Sequence, residues 1–235
     1  MSAAGPLLST WDHWLNLPGE RQFMYLRDST AAVEGVRYLK SIGANAVKVW
    51  FIVRPGSDFD AMARNVMVVG AEAQRQHLPL IVHATGLREA KVALRAGARL
   101  LVHSVQDRPL DVEFLTLART TGAFYCPTLT VIDGYAALPV AARFGQAPAL
   151  DDPFGAVDSL TRARISLTGA EARRVLGPSP PSRDSALAVL RKTMLDNLVI
   201  VRRTNIPVVT GTDAGNPLTP HGPAIHAEME AMQRA

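Results

Sequence analysis

The stretch NAVKVWFIV (45–53) is almost wholly apolar, yet it carries a lysine, Lys48, at its centre. It is rich in β-branched and aromatic residues, as a strand requires. LPLIVH (78–83), ARLLVH (98–103), AFYCPTL (123–129) and IPVVTG (206–211) are similar, and the early GPLLS is one more candidate. Runs this continuous are expected of strands covered on both faces, as in a parallel sheet. Helical patterns separate them. Val33, Val36, Leu39 and Ile42 fall on one stripe of a helix over 30–42, and Met62, Val66 and Val69 on one over 58–76. The stretch 87–97 ends in AGA, with Gly97 placed as a helix stop. A helix near 184–204 sets Leu187, Leu190, Met194, Leu198 and Val201 on one face. The alternation predicts a parallel α/β architecture. Residues 134 to 184, with LDDPFG and GPSPPS as loops, are too many for a simple connection and are expected to form a lid or subdomain.

The 235 residues, 48% hydrophobic and 20% charged, have ample material for a core. A single cysteine, Cys126, excludes an internal disulfide framework and fits a reducing compartment. No apolar run approaches the length of a membrane span, and the first residues lack the pattern of a signal peptide. A soluble, cytoplasmic chain is therefore expected. The net charge of +4 is spread over single arginines along helical segments. No Lys/Arg run with interleaved aromatics offers a surface to nucleic acid.

The polar residues inside these strands carry the functional signal. Lys48 lies within the most apolar one, His83 and His103 each end a strand, and Asp213 ends another in VVTGTDAG. Each has a plain structural reading: a snorkelling lysine, satisfied core histidines, a turn aspartate bonding its own backbone. Four such residues at comparable strand positions are better explained together. In a parallel barrel functional groups collect at the carboxyl ends of the strands. A carboxylate at such a place needs a cation, and two imidazoles with a carboxylate suit zinc or a similar divalent ion.

In AVKVW, LIVHATG, AGARLLVHS, YCPTLT and VVTGTDAGNPLTPHGPAIHAEME, in that order, the sequence resembles the amidohydrolase superfamily. More narrowly, it resembles the imidazolonepropionase-like and Xaa-Pro-dipeptidase-like members. The resemblance implies an incomplete (β/α)8 TIM barrel, one partial domain over 1–235 with an insertion at about 134–184. It implies a hydrolase cleaving C–N bonds of small amides, cyclic amides or dipeptides through a metal-activated hydroxide. Lys48 would be the carboxylated lysine bridging two metals. His83 and His103 would bind the second metal. Asp213 would bind the first, take the proton of its water, and pass it to the departing nitrogen. Tyr135 and His221 would face the substrate, and Glu228 would be a helix-surface or supporting group. His77 and His226 have no ligand setting, and Cys126 is expected to be a packing residue.

One family feature is missing. The pattern begins with a His-x-His pair on the first barrel strand, whereas the six histidines here, at 13, 77, 83, 103, 221 and 226, include no such pair. The resemblance accordingly counts about six of the eight barrel strands. It predicts a single metal site at Lys48, His83 and His103, and little hydrolysis by this chain alone. Open sheet edges favour a homo-oligomer or a complementing chain. The competing readings are a non-catalytic relative that binds or regulates a partner, and a sugar- or phosphate-binding barrel. The latter lacks a glycine-rich phosphate loop.

Overall fold

Strand and helix alternate through the first half of the chain as the apolar runs require. The computed structural model describes residues 2–12, 23–176 and 181–235. The strands are β1 (Leu7–Ser9), β2 (Phe23–Tyr25), β3 (Val47–Trp50), β4 (Leu80–His83), β5 (Ala98–Val102) and β6 (Phe124–Cys126). Between them run α1 (Ser29–Ser41), α2 (Phe59–Arg75), α3 (Leu87–Arg95) and α4 (Val112–Thr121). All pairings are parallel, in the order β2-β1-β3-β4-β5-β6. The chain then continues through α5 (Leu129–Phe144), α6 (Ser159–Leu176), α7 (Pro181–Arg203) and α8 (Ala224–Arg234). Two compact units result: Met1–Cys126 with Val201–Val208, and Pro127–Ile200 with Val209–Ala235.

In the first unit the helices start and stop on local signals. Asp28, Asp58 and Asp111 each accept an N–H of the first turn, those of Ala31, Ala61 and Phe114. Gly97 follows α3 in the left-handed region (φ 85°), the stop its position predicted. Val47, Val49, Leu80 and Val82 are buried on one face of the sheet, as are Val36, Leu39, Val66 and Val69 of the helices. Each such side chain contributes about 1.5–3 kcal/mol. Lys48, Trp50, Ile81 and His83, alternating with the buried residues, are only half-buried. Two expectations change here. Ile42 caps α1 and is exposed, and IPVVTG is reduced to a single bridge, Val208 with Tyr125. There Pro207, which has no N–H to give, accepts from Tyr125 at 2.8 Å.

One buried charge ties two helices together. Glu72 of α2 accepts from Arg37 of α1 (3.0 Å), from Arg75 (2.7 Å) and from Gln76 (2.9 Å). The hydrogen bonds of Gln76 and Arg37 hold its pKa at about 2.

The second unit is helical. Leu129, expected at the end of a strand, opens α5, which runs through the start of the predicted insertion. Gly169 of α6 lets the Gln146 carbonyl approach so closely that a Cβ would lie 1.8 Å from it. Met194 and Leu198 of α7 are buried, as its periodicity predicted. Among the described residues no helix is long and apolar enough to cross a membrane.

Candidate metal and substrate site

The strand register places the first three candidates. Trp50 pairs with His83, and His83 with Val102, so these side chains stand in one row on the half-buried face. Lys48, two residues before Trp50, shares that face. His103 follows Val102, and strict alternation would turn it toward the helices. Instead its backbone is left-handed (φ 76°), held by its N–H donating to Cys126 O at 2.9 Å. Such a backbone costs a non-glycine residue about 1–2 kcal/mol. The result is a histidine pair, with ring centroids 4.4 Å apart and planes at 69°. Burial, and then the neighbouring His103 and Lys48, push the His83 pKa well below its usual range. His83 is therefore neutral near pH 7, the form that ligates metals.

Among the described residues no group of three or more His, Cys, Asp or Glu is arranged to hold a metal. The donor chemistry nevertheless fits a divalent ion in part. Two adjacent imidazoles would supply two ligands, and Lys48 would supply a third only as an anionic carbamate. His13 lies outside the described residues. His77 is exposed at the turn after α2, and His226 is exposed with its ring 4.9 Å from that of Phe154.

The other three candidates belong to the second unit. Asp213 is exposed with left-handed backbone (φ 51°). Asn216 Nδ2 donates to Asp213 Oδ2 at 2.7 Å and to its carbonyl at 2.9 Å. Tyr135 Oη donates to Asn216 Oδ1 at 3.0 Å. One amide thus joins Tyr135 to Asp213. Gly134 makes room for this loop: a Cβ there would stand 2.2 Å from Pro217 O. His221 is exposed, its Nε2 3.7 Å from where a Cβ of Gly215 would lie. Asn216, Leu218 and His221, with Val157 and Ile165 of the insertion, line a cavity of about 370 Å³.

Asn216 is the residue that sequence reasoning missed. Its signal was present in Asp-Ala-Gly-Asn, a turn sequence that sets an amide three residues after an aspartate. Glu228 is not on the helix surface, one of the two settings expected for it. It is fully buried and accepts from Leu129 N (2.9 Å), Thr130 N (2.8 Å) and Thr130 Oγ1 (3.1 Å). Thr128 gives α5 no side-chain cap, so the carboxylate of α8 caps it instead. Burial raises the Glu228 pKa against these bonds. Cys126 is buried, as its packing role predicted.

No protein-family model matches the sequence, and no curated protein matches it. Solved structures do. The chain superposes on a putative prolidase from Bifidobacterium longum with a TM-score of 0.65 at 16% identity, covering 99% of this chain and 49% of that one. For the A. niger ochratoxinase the values are 0.61, 17%, 100% and 52%. For a Xaa-Pro dipeptidase with methionine bound in its active site they are 0.60, 16%, 99% and 51%. The fold is in part that of these structures. The chain spans about half the length of these structures. At such identities the likeness is one of fold.

Proposed function

We propose that the chain is part of a metal-dependent hydrolase acting on C–N bonds of small amides, cyclic amides or dipeptides. The observation that carries this reading is the His83–His103 pair, set on the Lys48 face at the ends of adjacent parallel strands. Lys48, His83 and His103 would hold the metal, zinc by their chemistry. When bound, it would polarise an amide carbonyl and acidify water. By the family resemblance, Asp213 would take a proton from the attacking water and return it to the departing nitrogen. Asn216 fixes Asp213 Oδ2, and Tyr135 is a substrate contact held by the same amide. The second reading is a non-catalytic relative that binds or regulates a partner.

Elemental analysis after incubation with zinc and bicarbonate separates the two. The hydrolase reading expects about one zinc per chain, lost in His83→Ala and in Lys48→Met and retained in Asp213→Ala. No metal in any version would leave only the non-catalytic reading.

A further inference from the structure

Helix α6 has one packed face and one bare face. Thr161, Ile165, Thr168, Gly169 and Ala172 are buried or half-buried, and the Cβ that Gly169 lacks would meet the Gln146 and Ala141 carbonyls. On the opposite face more than half of the surface of Leu160, Leu167 and Val175 is open to solvent (60%, 56% and 66%). Ala163 and Ala170, between them, are exposed as well. Leu160, Ala163, Leu167 and Ala170 recur at steps of three, four and three residues, the spacing of a coiled-coil seam. Single apolar residues on a surface need no explanation, but a seam in register over about three turns does.

The charges beside the seam choose its occupant. Arg164 and Glu171 each follow an alanine of the seam, so they share one flank, and both are exposed. They stand two turns apart, about 10.5 Å along the axis, too far to pair within one helix. A second copy running antiparallel, about a two-fold axis near Leu167, sets Arg164 of each helix against Glu171 of the other and Leu160 against Val175. A parallel copy forms no such pair, because its other flank presents Ser159 and Ser166 to these two residues. A uniformly anionic partner fits less well. Arg162 is taken by Asp152 at 2.6 Å, and Arg173 lies beside Gly145, which leaves the bare face with Arg164, Glu171 and Arg174, charges of mixed sign.

We propose that α6 is the seam of a homodimer, in which two copies of this chain pair antiparallel along Leu160, Leu167 and Val175. One helix pair buries less than a standard interface, so the dimer is weak, with a Kd on the order of 10 μM. Sedimentation velocity across that concentration should show a monomer passing into a dimer. In Leu167→Glu the dimer is lost and the circular dichroism is unchanged, since the side chain replaced is exposed. Arg164→Glu and Glu171→Arg should each weaken association roughly ten-fold by setting like charges opposite, and the double exchange should restore it. Orientation is read by cross-linking with oxidised glutathione. Leu167→Cys, near the axis, should form a disulfide with its own copy, and Leu160→Cys should not, because its counterpart lies at the far end of the helix. Cys126 is buried and joins neither. A chain that stays monomeric, a dimer that survives Leu167→Glu, a charge exchange that restores nothing, or equal cross-linking at both positions overturns the proposal.

Discussion

The two units hold their candidate residues by different means. In the first, position is a matter of backbone: parallel register aligns Trp50, His83 and Val102, and one left-handed residue swings His103 beside His83. In the second, position is a matter of side chains: a tyrosine, an asparagine and an aspartate joined by hydrogen bonds in a loop that needs a glycine on α5 to pass. A site set by register is robust to most side-chain changes outside its ligands. A site set by a polar chain fails one link at a time.

The sharpest way to break that contrast is Gly134→Val. Any side chain must displace the Pro217 carbonyl, and a destabilisation of about 3 kcal/mol or more is expected in urea unfolding. On the proposed hydrolase reading, zinc uptake by His83 and His103 should remain intact under native conditions. If uptake is lost with the loop, the two regions are not independent in the sense argued.

Next in size is Glu72→Ala, which leaves Arg37, Arg75 and Gln76 without their acceptor and should cost about 3 kcal/mol at pH 7. Its acid dependence is fixed in sign. The folded carboxyl titrates at about 2 against 4.5 for the free group. The contribution is therefore complete above pH 4.5 and is lost as the pH falls toward 2. Melting curves of the two proteins should converge over that interval. A gap that stays constant would show that the ionised carboxylate is not what stabilises the α1–α2 contact.

A smaller effect sharpens the second region. Tyr135→Phe and Asn216→Ala should each cost about 1 kcal/mol, with a coupling of about 0.5–1 kcal/mol in the double-mutant cycle. Strict additivity would mean that Asn216 does not transmit between Tyr135 and Asp213. The smallest effect belongs to the first region. His103→Gly, measured against His103→Ala, should be more stable by about 1 kcal/mol because glycine adopts the left-handed backbone without strain. On the proposed hydrolase reading both should also fail to bind zinc.

Much of the first unit was legible because its signals are local. Apolar runs marked β3, β4 and β5 in full or nearly so, Gly97 marked the end of α3, and two histidines at strand ends marked the row in which a metal would lie. The three-residue β2 escaped notice because FMY is too short to carry a period. IPVVTG read as a strand on composition, but a strand forms only where a neighbour supplies a ladder, and Val208 finds a single bridge. Leu129 read as strand because a short apolar run does not distinguish a strand from the opening of a buried helix.

What the chain determines by itself is therefore periodicity, caps and the chemical type of each candidate residue, all properties of a few neighbouring positions. Only the tertiary structure decides that His103 turns toward His83, that Glu228 is buried as the cap of α5, and that Asn216 stands between Tyr135 and Asp213. Each of these joins residues far apart in sequence or departs from the regular backbone. Their energies come from burial and from hydrogen bonds that exist only once the chain has folded, so no local pattern announces them.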